Sequence, residues 1–127
     1  METAGVICHS DSPSAFPLHM IPKPDSSWQP CGENRHLNNV IRPDWYPLPN
    51  IHDFTNNSKE CSVFSKLGLV KGYHQVTMSK ADICKTAKVT SFGLFEFLSL
   101  LFGLKNMAQT FQHRMDRILQ ELPYVFI

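Results

Sequence analysis

Phe92-Gly93-Leu94-Phe95-Glu96-Phe97-Leu98-Ser99-Leu100-Leu101-Phe102-Gly103-Leu104-Lys105-Asn106, followed by the run to Leu122, decides the fold class. Gly93 marks a turn, and Leu94 to Leu98 reads as a strand. The apolar stretch Phe97 to Phe102, interrupted by Ser99, is far shorter than the roughly 20 residues of a membrane span. Beyond it the period changes. Met107, Phe111, Met115, Ile118, Leu119 and Leu122 fall at i, i+4, i+8, i+11, i+12 and i+15, one stripe of an α-helix. Asn106 with Gln109 three residues on has the form of a capping box, and Pro123 is placed to end the helix. The stripe reads as core rather than as a cofactor box. A strand period passing into a helix period predicts an α+β domain.

Working outward, Cys61 to Leu67 and Lys85 to Thr90 read as two further strands, and Ile51 to Asn57 as a short helix capped by Asn50. Eight of the nine prolines precede residue 50. Pro13, Pro17, Pro22, Pro24 and Pro30 forbid a helix in their neighbourhood and permit edge-type strands. Phe16 to Ile21, the turn chemistry of Pro24-Asp25-Ser26-Ser27, and Trp28 to Cys31 therefore predict a hairpin. Pro43, Pro47 and Pro49 predict an extended connector through Trp45 and Tyr46. Tyr124 to Ile127 begins an apolar strand, an exposed edge that predicts low solubility.

The chain has 127 residues, 43% of them hydrophobic and 11% aromatic, with a net charge of +1. That suits one small domain and excludes wholesale disorder and a polybasic or acidic tail. The charge is uneven. Residues 1–58 hold three basic and six acidic side chains, whereas residues 59–105 hold seven lysines and three acids. Such a lysine excess suits phosphate contact, and equally a solvated face. Cys8, Cys31, Cys61 and Cys84 are singly spaced, which predicts free thiols packed as small hydrophobes. With the six scattered histidines they lack the spacing of a metal site. No P-loop or nucleophile elbow is present. Met1 to Ser10 has no basic and apolar leader pattern. The expectation is a soluble, intracellular chain, cytoplasmic or nuclear, with no membrane partner.

The ordered blocks are more specific. They run Ser12-Pro13 to Lys23-Pro24-Asp25, Trp28, Arg35, Leu37-Asn38, Tyr46-Pro47-Leu48-Pro49, Phe64-Ser65-Lys66-Leu67, Lys71-Gly72-Tyr73-His74-Gln75 and Lys85-Thr86-Ala87. Phe92-Gly93-Leu94-Phe95-Glu96-Phe97, Phe102-Gly103-Leu104-Lys105-Asn106 and Gln109-Thr110-Phe111-Gln112 complete them. In this order they closely resemble the reverse transcriptase of gypsy-type LTR retrotransposons, over essentially the whole chain. The resemblance implies a partial right-hand polymerase fold: a fingers hairpin plus an incomplete antiparallel palm sheet with packed helices. It places residues 1–60 on the fingers side and 61–127 in the first half of the palm. Met1 to Ile7 then belongs to the segment preceding the fingers, and the family domain continues beyond Ile127 with a Tyr-x-Asp-Asp turn.

The resemblance also implies chemistry. RNA-directed DNA polymerisation by this family is a two-metal phosphoryl transfer, with two Mg²⁺ ions about 3.5–4 Å apart held by hard carboxylate oxygens. The family's first metal-ligand Asp corresponds to Gly68, which has no donor, so no intact catalytic or metal residue is expected and Mg²⁺ is not expected to bind. Asp82, Glu96 and Asp116 match no family metal position and read as surface acids. Lys23 matches a lysine that contacts the incoming triphosphate, although the Arg that follows the family's Trp is Gln29 here. Arg35 matches a template contact, with Glu33 and Asn34 replacing the usual neighbours. Tyr73 matches the steric gate under the nucleotide sugar. Phe102 and Lys105 match the pocket lining, with Leu101 and Met107 as departures, and Ser14 and Phe16 depart in the fingers. Taken alone these would be a turn lysine, a surface arginine, core aromatics and a solvated lysine.

The partners implied are RNA/DNA primer–template, a deoxynucleoside triphosphate and the remainder of a polyprotein. Three readings follow: a polymerase-family fragment inactive by itself; a residual nucleic-acid-binding module using the lysine-rich face, Arg35 and stacking on Trp28 or Trp45; or an active polymerase completed downstream. A lone Asp at position 68 is not expected to rescue catalysis, because one carboxylate cannot position two ions.

Overall fold

The computed structural model describes residues 4–122 and 124–127. Five strands form one sheet: β1 (Ile7–His9), β2 (Phe16–Pro22), β3 (Trp28–Gly32), β4 (Lys88–Thr90) and β5 (Gly93–Phe97), in the order β1-β5-β4-β2-β3. Four helices accompany it: α1 (Arg35–Val40), α2 (Ile51–Asn57), α3 (Lys80–Ile83) and α4 (Met107–Leu119). The architecture is α+β, as the change of hydrophobic period predicts.

The proline-rich hairpin forms. β2 and β3 pair antiparallel with Met20 opposite Pro30. Its turn is closed by Lys23 N donating to the Ser27 carbonyl at 2.8 Å, while the Asp25 carboxylate accepts the Ser27 amide and hydroxyl at 3.0 and 2.6 Å. Such side-chain turns favour Asp in hairpin tips. β2 then joins β4 in parallel, with Phe16 opposite Lys88, and this one pair makes the sheet mixed rather than antiparallel. β4 and β5 form a tight hairpin through a Gly93 with φ +132°, and β1 adds to the far side of β5, Ile7 opposite Phe97. The short strand β1 and the short helix α1 have no periodic signal long enough to announce them.

Several expectations are corrected. Cys61 to Leu67 is not a strand: it has no regular structure, and Val63 and Leu67 are strongly exposed. Among the described residues it has no partner strand, and a strand without a ladder gains nothing from extended geometry. Tyr124 to Ile127 is not a strand either; Phe126 instead lies edge-on to Phe54 of α2, 5.2 Å between ring centroids. Lys85 and Thr86 belong to a 3₁₀ turn, Cys84–Thr86, so only the last residues of that predicted strand pair. The helical stripe is real but only half-covered, with Ile118 and Leu122 exposed and Gln112 the buried residue of α4. No disulfide forms among the described residues, yet Cys31 and Cys84 are exposed and Cys8 and Cys61 only half-buried. α4 ends at Leu119, ahead of the expected stop at Pro123; Pro123 itself and Met1 to Thr3 of the N-terminal segment lie outside the described residues.

Asn50 caps α2 as predicted, its side chain accepting from His52 N at 3.1 Å. The apolar core is small: Val6, Phe97 and Leu101, with Ile7, Met78 and Leu104 against them. Beside it sits a charge. Lys88 is 1% exposed, and its Nζ donates to Asn34 Oδ1 at 2.6 Å and to the Glu33 carbonyl at 3.0 Å, 5.0 Å from the Phe16 ring centre. Its stem runs so close to Gly32 that a Cβ there would lie 2.5 Å from Lys88 Cε.

That contact makes a specific prediction. Gly32→Ala displaces the ammonium from its two acceptors and destabilises the fold by about 1–3 kcal/mol. The penalty shrinks in a Lys88→Ala background, where the slot is vacated. Urea melts of the four proteins of this double-mutant cycle check it, and strictly additive effects contradict it.

Candidate functional site

Three asparagines tie α1 and the chain after it to the loop between β5 and α4. Asn34, just before α1 and 4% exposed, donates from Nδ2 to the Phe102 carbonyl at 3.0 Å while its Oδ1 holds Lys88. Asn38 donates to the Gly103 carbonyl at 2.7 Å and accepts from Lys105 N at 2.9 Å. Asn106 donates to the Arg42 carbonyl at 2.8 Å and accepts from Asp44 N at 3.1 Å. An amide offers both a donor and an acceptor, and each of these three uses both. Asn106 therefore does not cap α4, which has no side-chain cap; its amide is spent across the fold. Gly103 is required where it stands, because its φ is +89° and a Cβ would approach Asn34 Nδ2 to 3.1 Å.

The loop so held presents Phe102 to Tyr73. Their rings meet edge-to-face at 5.0 Å and 80°, and Tyr73 meets Phe111 of α4 at 4.8 Å and 63°. Such geometry is favourable for aromatic quadrupoles and fixes ring orientation. Tyr73 sits in a 3₁₀ turn, Gly72–Gln75, entered through Lys71 at φ +50°, a left-handed conformation uncommon outside glycine. Phe102 is 55% exposed while Tyr73 behind it is half-buried, and the exposed Lys105 lies in the same loop as Phe102. Next to Tyr73, burial and the Lys71 charge hold the His74 imidazole below the usual histidine range, and its buried Nδ1 has no hydrogen-bond partner.

The structure thus brings Tyr73 and Phe102 into contact, with Lys105 in the same loop, while Arg35 follows the Asn34 that binds the Phe102 carbonyl and has its own side chain on Glu33. Lys23 stands apart, exposed at the tip of the β2–β3 hairpin. Gly68 lies in the irregular segment. A Cβ at Gly68 would meet nothing within 4 Å, so a side chain would fit, but glycine supplies no donor atom. Among the described residues no group of three His, Cys, Asp or Glu could hold a metal ion. The three nearby acids are occupied elsewhere. Asp82 pairs with Lys85 at 2.6 Å, Glu96 accepts from Ser10 at 2.8 Å, and Asp116 accepts from Tyr46 at 2.7 Å and Gln112 at 2.8 Å. The residues present do not fit a divalent ion at the Gly68 position.

Arg35 is exposed but not free. Glu33 grips it through Nε at 3.1 and 3.0 Å and Nη2 at 2.8 Å, and accepts its backbone N–H at 2.8 Å. These bonds hold the Glu33 carboxyl down to about 2 and raise the arginine further. The lysine-rich stretch is likewise thinner than its sequence suggests, since Lys88 is buried and Lys85 paired. Trp28 and Trp45 are exposed. Tyr46 stacks on His113 at 4.6 Å, and its bond to Asp116 fastens the proline connector to α4.

Known proteins share the sequence and the fold of this chain. Residues 21–126 match the family model described as "Reverse transcriptase (RNA-dependent DNA polymerase)". The chain is 38% identical over 127 residues to the retrovirus-related Pol polyprotein from transposon 297 of Drosophila melanogaster, covering 96% of this chain and 12% of that protein. Against the transposon Tf2-3 polyprotein of Schizosaccharomyces pombe, identity is 30% over 118 residues, 93% of this chain and 9% of the other. The foamy viral protease-reverse transcriptase solved in complex with dsDNA superposes with a TM-score of 0.81 at 19% identity, over 99% of this chain and 26% of that one. The chain belongs to the reverse transcriptase family. Within it, the sequence is a reverse transcriptase domain of the kind found in retrotransposon Pol polyproteins, and it spans about an eighth of the length of the transposon 297 relative.

Sequence reasoning missed Asn34, Asn38, Asn106 and Lys88 as the framework of the site. Their partners are backbone groups or each other across 54 to 68 residues, so no local spacing exposes them.

The Arg35–Glu33 pair is testable by titration. The Glu33 carboxyl carbon, followed by NMR, is expected to titrate near 2 in the native protein and to return towards its ordinary 4.5 in Arg35→Met. Because the folded value is depressed, the stability linked to this pair is complete above the unfolded value and is lost as pH falls from about 4.5 towards 2. A native midpoint near 4.5 contradicts the pairing.

Proposed function

We propose that this chain is the nucleotide- and template-facing part of a gypsy-type reverse transcriptase, with residues 1–60 on the fingers side and 61–127 in the palm, acting inside the cell. The observation that carries this reading is the Tyr73–Phe102 contact, at 5.0 Å, on the loop that also bears Lys105. In this reading the edge of Tyr73 limits the space beneath the sugar of a deoxynucleoside triphosphate, Phe102 lies against the nucleotide, and Lys105 and Lys23 answer phosphate charge. Arg35 contacts the template strand once it is released from Glu33. The solved foamy viral relatives in complex with dsDNA and with an RNA/DNA hybrid support primer–template as the partner.

Polymerisation is a separate matter from binding. The family's reaction uses Mg²⁺ held by palm carboxylates, and Gly68 contributes none. The isolated chain is therefore a binding surface without a metal centre, and its side chains position ligands rather than transfer a phosphoryl group. Primer extension with Mg²⁺ or Mn²⁺ is expected to give no product for the chain, or for Gly68→Asp, whose single carboxylate cannot hold two ions. Template-directed extension by either protein overturns this.

Binding is tested by fluorescence anisotropy with an RNA/DNA primer–template at two salt concentrations. Affinity is expected to fall as salt rises, since the contacts are to phosphate. Glu33→Gln, which frees the guanidinium, is expected to tighten binding and to steepen the salt slope by about one. Affinity indifferent to salt, or unchanged in Glu33→Gln, contradicts the electrostatic reading.

A further inference from the structure

We infer that Lys88 is a positioning residue for the nucleotide pocket: it orients the Asn34 amide, and through it fixes the Phe102 carbonyl and the ring that packs on Tyr73. The inference rests on reading Tyr73 and Phe102 as nucleotide-facing residues.

The argument begins with the chemistry of an amide. Asn34 can be turned about its last bond, exchanging oxygen and nitrogen at little steric cost. A lysine ammonium has donors only, so at 2.6 Å it admits the Asn34 oxygen and rejects the nitrogen. Once Oδ1 faces Lys88, Nδ2 must face the other way, towards the Phe102 carbonyl 3.0 Å off. One charged group thus settles which end of the amide meets the loop. The Phe102 carbonyl, an acceptor only, favours the same orientation, but the ammonium carries the charge. Lys88 is 1% exposed and Asn34 4%, so water does not compete for either amide atom.

The groups packed against Lys88 are consistent with that task. From β2 the Phe16 ring lies 5.0 Å from Nζ, and the Glu33 carbonyl after β3 takes a second donor at 3.0 Å. Gly32 leaves room for the stem. Burial opposes the charge, while the Glu33 carboxylate favours it. The Glu33 carboxylate is itself held outward by Arg35, which leaves Asn34 as the side-chain acceptor of the ammonium. A buried cation here adds little to stability, because burying a charge costs several kcal/mol that its bonds only offset. Its consequence is orientation.

The sequence supplies a built-in probe. Phe92-Gly93 and Phe102-Gly103 are its two Phe-Gly pairs, so labelling phenylalanine with ¹³C at the carbonyl and glycine with ¹⁵N gives one signal from each. Lys88→Met keeps the stem and removes the ammonium; Asn34→Asp keeps a partner for Lys88 and removes only the donor to Phe102. In both variants the Phe102 signal is expected to move towards that of an unbonded carbonyl while the Phe92 signal stays, and dATP, titrated as the probe, is expected to bind roughly tenfold more weakly. Should Lys88→Met fail to fold, Asn34→Asp still reports. A Phe102 signal unmoved in the folded variants, with dATP bound as by the native chain, overturns the role of Lys88. Native chain that takes up no dATP overturns instead the pocket reading beneath it, and the Phe102 signal then shows whether the Lys88–Asn34 coupling exists without it.

Discussion

An amine enclosed by protein must find its acceptors in the chain, and the acceptors of Lys88 lie at the junction of everything else. Its Nζ is bound to the segment between β3 and α1, its backbone pairs with β2 on one side and β5 on the other, and the Asn34 it holds reaches the loop before α4. The apolar core is only a handful of residues, so burial of hydrocarbon alone does not fix how the sheet, α1 and α4 meet. Directional bonds from Asn34, Asn38 and Asn106 do. A buried polar network is costly when half-satisfied and specific when complete, and the nitrogen and oxygen of all three side-chain amides are engaged.

This framework separates two capacities that the reverse transcriptase family combines. Presentation of aromatic and basic side chains depends on the loop from Phe102 to Asn106, and that loop is docked at each end. In the proposed reading metal ions would be held by carboxylates at the segment around Gly68, and that segment has neither regular structure nor a donor at position 68. The loop that presents Phe102 and Lys105 is docked independently of it. Electrostatics shift in the same direction: Glu33 covers Arg35, and Lys88 has left the surface, so the charge available to a nucleic-acid backbone is less than the lysine and arginine count implies.

What could be read from the sequence follows the range of the forces involved. The hairpin of β2 and β3, α2 with its Asn50 cap and the body of α4 are set by proline geometry, turn residues and periodicity, all local, and they appear where expected. Cys61 to Leu67 alternates like a strand, but alternation states a preference that only a neighbouring strand can realise. Asn106 looked like a cap because capping is the commonest local use of asparagine before a helix; a contact with Arg42 and Asp44 was stronger. Lys88 counted as a surface charge until Gly32 and Asn34 were seen to make a slot for it. The ordered motifs single out Tyr73, Phe102, Lys105, Arg35 and Lys23, whereas the docking of the loop that carries Phe102 and Lys105 comes from bonds spanning more than 50 residues, and Lys23 stays apart from it.

The docking of α1 and its following chain onto the Phe102–Asn106 loop is most directly tested by hydrogen exchange at two backbone amides. Lys105 N–H and Asp44 N–H lie in loops, and their acceptors are asparagine side chains, Asn38 at 2.9 Å and Asn106 at 3.1 Å. Both are expected to exchange far more slowly than unbonded loop amides, and each to lose its protection when its own asparagine is replaced by alanine. Exchange of both at the rate of free loop amides in the native chain contradicts the account.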